Sequence, residues 1–571
     1  MSSHAIQIPR VKISRASQLT ENQCLLCVVI IAIAVMAPAM IFGIASGPDL
    51  SNHFRFALPF YDALRSGHVY PGWLAESNAG YGDASFRFYP PALYYLLALT
   101  RAVTGSWYTG TLLAFTSIFV AGAVGVYLWA RTLMSSKDAV WAAVFFTLAP
   151  YHLNQFYQAT MLAELAATSL LPFAFLFVER VCQKRTRRDV VGLAISYALL
   201  LLTHLPLAVI GSLALLLYAL VRTPMKFRWT ILLRLTSAVL LGLAASSCYW
   251  VTVIAELNWI RADNILPDPS VDYRTNFVLS PFSIDNLNVW WMNILLLVSI
   301  AMFWPALARY WPSAQGPTTD GGMPQENRAL RAPTSLFLLT ILMATPLSRP
   351  VWSLLRPLQE TQFPWRWLAI TSMAGPVLLA AALPYLKRLS TGNKRPIVIL
   401  AAGTMAVSFA FSASHTVREA KWLPPLQFDK TLSEIPGSPG VSQWWPIWVK
   451  EPLQRMSAPV AAGDRDLTIK SWLPERRAFQ LGPGPASEAR VRTFFYPLWH
   501  AESEGRALPV RPDKDGALLI SVPENAVLIT LELQEPARVR VAAIVSMLGW
   551  ILIGALFLWR PTVSSAVTGA C

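Results

Sequence analysis

Long apolar runs alternate with short polar breaks along most of this chain. Twelve runs approach or reach the roughly 20 residues that cross a bilayer: 23–45, 107–131, 139–155, 163–180, 190–204, 205–222, 231–255, 289–309, 334–346, 366–386, 396–413 and 541–559. The stretch 190–222 also reads as one long helix, and 334–346 is short. The pattern predicts a polytopic α-helical membrane protein with about 12 transmembrane helices. No convincing small-residue cleavage site accompanies the first run, so it reads as a retained span.

Two longer polar stretches break the rhythm. The first, 46–106, contains an apolar piece at 89–103 that Pro90 and Pro91 interrupt and Gly105 closes. It is too short and too broken to span, and is expected to lie on the membrane surface as an interfacial helix. The second, 414–540, is rich in Pro, Gly and charge. It ends in period-two alternation at 517–522, 526–533 and 538–541, with turn signals between the runs. This predicts a small, sandwich-like β-rich domain. The linker 311–333 reads as a flexible loop. The expected divisions are an N-terminal segment 1–22, a transmembrane domain 23–413 with its first outer loop at 46–106, a β-rich domain 414–540, and a final helix and tail 541–571.

Composition agrees with the pattern. The chain is 54% hydrophobic and 14% charged, against about 25% charged in soluble proteins. The net charge of +15 would suggest nucleic acid in a soluble chain. Here the basic residues gather in short loops, and no nucleic-acid partner is expected. With twelve spans, Arg10, Lys12 and Arg15, Arg131 and Lys137, Lys184 to Arg188, Arg222 to Arg228, Arg328 and Arg331, and Lys387 to Arg395 all fall on the side of the N-terminus. The positive-inside rule makes that side cytoplasmic. Loops 46–106, 256–288, 347–365 and the β-rich domain then lie on the outer face.

Cys24 and Cys27 form a CxxC, but it opens an apolar helix with no second pair and reads as core. No P-loop, GxGxxG after a strand, HExxH or EF-hand loop occurs. ATP-driven, NAD-dependent and zinc-protease readings are therefore disfavoured.

The candidate chemistry sits on the outer loops. Asp49 follows the first span, with His53 one helical turn on. An acid there can act as general base for an acceptor hydroxyl, or as ligand to a divalent cation such as magnesium or manganese; it can equally be a helix N-cap. Glu164 sits at the outer end of a span, as second acid or as partner to an arginine. Arg366, entering a span, can bind phosphate or snorkel among the belt residues Trp365 and Trp367. Arg349 and Arg356 lie in the outer loop 347–365 beside it and are candidates for the same phosphate. His204 reads as a capping residue at an outer turn. The aromatics Trp73, Tyr81 and Tyr89, with Arg87, are expected to contact substrate. Tyr and Trp stack on sugars but also populate membrane interfaces.

The strings PDLSNHFRFA (48–57) and SGHVYPGWLAESNAGYGDASFRFYPPALYYL (66–96) resemble the first outer loop of the GT-C superfamily of membrane glycosyltransferases. More closely, they resemble the bacterial multi-spanning 6-pyruvoyl-tetrahydropterin synthase-related proteins and the neighbouring YfhO-like family. The shared features are Asp49, the Tyr70-Pro71-x-Trp73 segment, the Gly80-x-Gly82 turn and the run 86–95. QFPWRW at 362–367 and FYPLWHAESEGRALPV at 495–510 are similar to further segments of those families. The pterin name does not carry over as an activity. A soluble pterin synthase needs a zinc-binding histidine cluster, and the seven histidines here, at 4, 53, 68, 152, 204, 415 and 500, have no ligand spacing.

The resemblance implies a GT-C-like fold and a polyprenyl-phosphate sugar donor at a bacterial inner membrane. Asp49 would be base or metal acid, with His53 and Glu164 supporting and Arg366 on the phosphate. The acceptor would be an envelope glycan, lipid or protein. Two other readings remain: a transporter or flippase of a lipid-linked glycan, which would need polar residues deep in several spans, and a non-catalytic envelope assembly partner.

Overall fold

The computed structural model describes residues 20–184, 186–260, 271–281, 286–310, 329–391, 393–450 and 456–559. The expectations for residues 1–19, most of the linker 311–333 and the tail after 559 lie outside the described residues.

Among the described residues, eight helical segments are long and apolar enough to cross a membrane: Trp107–Ala130, Leu162–Gln183, Leu205–Arg222, Met225–Ala245, Leu287–Arg309, Pro364–Leu389, Arg395–Glu419 and Ala537–Leu558. Arg331–Ala344 with Pro346–Leu354, bent by 90°, makes a ninth if the pair is one span. Leu162–Gln183 and Pro364–Leu389 are the most enclosed.

The remaining predicted spans are helices that are shorter or broken. The run 23–45 divides into Glu21–Ala34 and Ala37–Phe42 and leaves the helix at Gly43. Gly43 has φ 119°, and a Cβ there would lie 2.3 Å from the Leu423 carbonyl oxygen. The run 139–155 divides into Ser136–Thr147 and Pro150–Tyr157. Pro150 has no N–H to continue the helix and pushes Ala149 into extended backbone (φ −62°, ψ 134°). The stretch 190–222 is two helices, Arg187–Thr203 and Leu205–Arg222. They meet at His204, which is extended and whose Nδ1 accepts the Leu207 N–H at 3.2 Å. The second helix turns back, since Arg222 in its last turn pairs with Glu179 at 2.7 Å.

The first polar stretch is built on the helix Leu50–Arg65 and the helix Ala92–Thr104, the latter on the segment expected to be helical. Two short strands anchor its start. β1 (Ile44–Ala45) pairs antiparallel with β2 (Trp422–Leu423), which ties the end of the first apolar run to the entrance of the C-terminal region. The helix Pro425–Ser433 then packs on Leu50–Arg65, with the Phe428 ring edge-on to Phe54 at 5.2 Å.

The C-terminal region is β-rich. Its strands are β3 (Val460–Ala461), β4 (Leu467–Trp472), β5 (Arg476–Leu481), β6 (Ser487–Phe494), β7 (Trp499–Ser503), β8 (Arg506–Leu508), β9 (Val510–Pro512), β10 (Ala517–Val522) and β11 (Val527–Leu533). They form two antiparallel sheets, ordered β3-β6-β10-β9 and β4-β5-β11-β7-β8. Alternate residues such as Ile529 and Leu531 from one sheet, and Leu518 and Ile520 from the other, share one core. The third alternating run, 538–541, is not a strand: it starts the helix Ala537–Leu558. Four residues of alternation fit a helical turn as well, and the apolar sequence behind them continues the helix.

Candidate functional site

β1 ends at Ala45, and the chain then passes through Gly47 and Pro48 to Asp49. Gly47 is needed there, since a Cβ would lie 2.1 Å from the Gln158 carbonyl oxygen. Asp49 takes the N-cap position of Leu50–Arg65, but its side chain makes no capping bond. Its carboxylate instead lines a cavity of about 380 Å³. Burial raises the Asp49 carboxyl above its usual range; Arg366 and then Asn52 draw it back, and Glu164 adds to the rise.

Arg366 faces the same cavity. The preceding turn is set by Gln362, held at φ 65°, a conformation that costs an L-residue energy and is found at functional sites. The short 3-10 turn Pro364–Trp367 follows and points the guanidinium inward. Nε donates to Glu164 Oε2 at 2.9 Å, and Nη1 donates to the Thr361 carbonyl. The guanidinium lies over the Phe363 ring, 4.7 Å from its centroid. Nη2 has no protein acceptor among the described residues. Trp365 and Trp367 are buried, so Arg366 does not snorkel in an aromatic belt.

Glu164 is 1% exposed and takes three donors. Its Oε1 accepts from the Tyr151 hydroxyl at 2.5 Å and from Gln155 Nε2 at 2.9 Å, while Oε2 takes Arg366. Of its two expected roles, partner to an arginine is the one the geometry holds. A second acid would need an oxygen at the cavity, and Glu164 does not line it.

His53 lines the cavity one turn beyond Asp49. Its Nε2 accepts the backbone N–H of Leu162, at the start of Leu162–Gln183, at 3.2 Å. Nδ1 therefore carries the proton and faces the Tyr94 hydroxyl at 3.0 Å. Burial lowers the ring to about 4, so it stays neutral. With both nitrogens engaged, His53 joins the loop helix to a membrane helix and has no free nitrogen with which to take a proton.

The other expected residues divide. Tyr89 lines the cavity, edge-on to Trp444 at 5.6 Å. Arg349 and Arg356 are exposed on the short helices after Pro346 and do not line it; Arg356 pairs with Glu360 at 3.4 Å. Trp73 and Tyr81 are buried between the loop and the β-rich region. Trp73 meets Trp499 edge-on at 5.4 Å, and Tyr81 stacks on Phe494 at 5.3 Å. Gly82, at φ 86°, lies against the Trp73 ring, where a Cβ would come within 2.4 Å. Arg87 is also buried. It holds Glu256 through Nε (2.6 Å) and Nη2 (2.8 Å), and Glu535 through Nη1 (2.5 Å) and Nη2 (2.9 Å). Trp73, Tyr81 and Arg87 are thus joints of the loop; none of them lines the cavity.

Several wall residues were not singled out from sequence. Asn52, Asn276, Asn288, Gln362 and Gln443 bring neutral amides to the cavity. Their signal was weak, being single polar residues beside apolar runs, from distant parts of the chain. Among the described residues no group of three or more His, Cys, Asp or Glu side chains converges as a metal site. On the described wall, Asp49 is the carboxylate a divalent cation would meet, opposite a guanidinium. No step below is routed through a metal.

A comparison with solved structures finds the arabinofuranosyltransferase AftD from Mycobacteria at a TM-score of 0.45 and 18% identity, covering 70% of this chain and 27% of that one. ArnT from Cupriavidus metallidurans, bound to undecaprenyl phosphate, matches at 0.41 and 14%, covering 73% and 75%. The Archaeoglobus fulgidus oligosaccharyltransferase, in complex with Zn and sulfate, matches at 0.41 and 13%, covering 76% and 59%. The chain thus spans about a quarter of the length of the mycobacterial protein. No curated protein sequence matches it. Residues 86–421, more than half of the 571, match the 6-pyruvoyl-tetrahydropterin synthase related domain of membrane proteins, and the chain belongs to that family.

Proposed function

We infer that this chain is a GT-C-type glycosyltransferase, moving a sugar from a polyprenyl-phosphate donor to an envelope glycan, lipid or protein. The observation that carries the reading is one cavity with the Asp49 carboxylate and the Arg366 guanidinium both on its wall. Its volume is within the range of small-molecule sites.

Each group has a task. The acceptor hydroxyl attacks the anomeric carbon; a carbon–oxygen bond forms there as the bond to the donor phosphate breaks. The hydroxyl proton goes to Asp49, whose raised pKa brings it closer to a working pH than an ordinary carboxylate. The leaving polyprenyl phosphate gains negative charge, which Arg366 Nη2 stabilises by a charge-assisted hydrogen bond. Glu164 and Thr361 hold the guanidinium in place for this. His53 sets the angle between the helix that carries Asp49 and the helix that carries Glu164.

The same reading includes twelve membrane crossings, with the cavity on the outer face of a bacterial inner membrane. Contacts at the two ends support it. Asp49, Glu164 and Arg366 share one end, whereas Glu21 with Arg131, and Glu179 with Arg222, join helices at the other. Lys184, Arg187, Arg188 and the basic loop Arg222 to Arg228 belong to that second end, which the positive-inside rule makes cytoplasmic.

The test is to supply the purified full chain with a radiolabelled polyprenyl-phosphate sugar in vesicles. Release of label from the lipid onto an acceptor supports the enzyme. Movement of intact donor between leaflets, or no effect on it, sinks the reading.

A further inference from the structure

The bundle has a second concavity at the end away from Asp49. It holds about 580 Å³ and is lined from the helices Trp107–Ala130, Leu162–Gln183, Arg187–Thr203 and Ala537–Leu558. Phe173, Phe177, Ile195 and Leu199 give it apolar walls, and Arg180 and Arg188 stand at its mouth. Arg180 is 18 residues along the helix that begins at Leu162 beside His53, about 27 Å at about 1.5 Å per residue.

Neither arginine has a carboxylate partner among the described residues. The Arg180 guanidinium rests over the Phe177 ring, 6.0 Å from its centroid. The carboxylate in this lining, Asp189, is occupied by the Thr186 hydroxyl at 2.5 Å. Two guanidiniums against this one carboxylate leave the lining net positive.

The depth is informative. From Arg180 back to Leu170, and from Arg188 on to Leu199, the walls run ten and eleven residues, about 15 Å along each helix. One leaflet occupies half of the roughly 30 Å hydrocarbon core. The groove is thus as deep as one leaflet, apolar along its length and cationic where headgroups lie. A soluble anion would leave its walls wet. A lipid with an anionic head fills both parts, its acyl chain in the groove and its phosphate on the two guanidiniums.

We propose that this groove binds an anionic phospholipid from the leaflet at that end of the bundle. The site is separate from the Asp49 cavity, and the inference stands whatever that cavity does.

Native mass spectrometry of the full chain in detergent tests it. The protein is titrated with phosphatidylglycerol or with phosphatidylcholine of the same acyl chains. Phosphatidylglycerol adducts should persist at lower lipid concentrations than phosphatidylcholine adducts in the wild type. The R180Q/R188Q variant should lose that preference. I195W, which fills the groove and keeps both arginines, should lose the bound phosphatidylglycerol as well. Equal retention of the two lipids by the wild type, or an unchanged preference in a folded R180Q/R188Q protein, overturns the proposal. The wild-type comparison decides alone if the variants do not fold.

Discussion

Asp49 sits where a capping aspartate would sit and leaves the cap unmade, so its carboxylate is available to the cavity. His53 is the reverse case, with both ring nitrogens committed and a value near 4. Its folded value lies below the ordinary 6.5, so the folded state favours the neutral ring. The stability this contributes is complete above 6.5 and is lost as pH falls from 6.5 to about 4. It amounts to on the order of 3 kcal/mol, at about 1.4 kcal/mol per pH unit. H53Q can keep an acceptor for the Leu162 N–H without this titration. Its unfolding free energy should therefore fall less steeply than that of the wild type between pH 6.5 and 4. Parallel curves would contradict the assignment. The four-residue spacing of Asp49 and His53 was legible in the sequence. The commitment of His53 was not, because Tyr94 and Leu162 come from other parts of the chain. Likewise, sequence placed Arg349, Arg356 and Arg366 in one loop, and the turn at Gln362 decides that only Arg366 points inward.

At the scale of elements, two buried ion networks hold the site together. Arg366 is aimed by Glu164 across two membrane helices. E164Q keeps the size of the side chain but removes its charge, so the guanidinium is held less firmly. The expected outcome is a fall in transfer with little loss of fold, read as turnover against thermal midpoint; wild-type turnover would remove the positioning role. Arg87 joins the first loop to Glu256, at the end of the helix Ser247–Glu256, and to Glu535, just after β11. R87M leaves the buried Glu256 with only the Tyr496 hydroxyl at 2.8 Å and the more distant Arg538 at 4.0 Å, a loss of up to about 3–5 kcal/mol. Thermal stability should drop and protease cleavage near residue 535 should rise; an unchanged melting curve would argue against the joint. The apolar runs that became helices, and the alternation that became β10 and β11, were legible because each depends on local periodicity. The break at Gly43 depends on what packs beside it, whereas the break at Ala149 follows from Pro150 and the helical fate of 538–541 from the apolar sequence behind it. For Gly43 that neighbour is Leu423, almost four hundred residues on.

For the whole molecule, the cavity lies where three parts meet: the first loop, the ends of the apolar helices nearest Asp49 and the segment leading into the β-rich region. Asn78 locks this junction, accepting from the Gly440 N–H at 2.5 Å and the Trp445 Nε1 at 3.0 Å on either side of the wall residue Trp444. The sequence showed a membrane protein with a polar loop and a β-rich tail, but not that the tail closes the cavity. Transfer of radiolabelled sugar by purified wild type and D49N tests whether Asp49 takes the acceptor proton there. Because burial raises the Asp49 carboxyl, the folded state favours its neutral form, and that contribution is lost as pH rises through the folded value. D49N should therefore melt no lower than the wild type near neutral pH. D49N should still bind donor but transfer sugar about 10²–10⁴-fold more slowly. Transfer by D49N at the wild-type rate would contradict that role for Asp49.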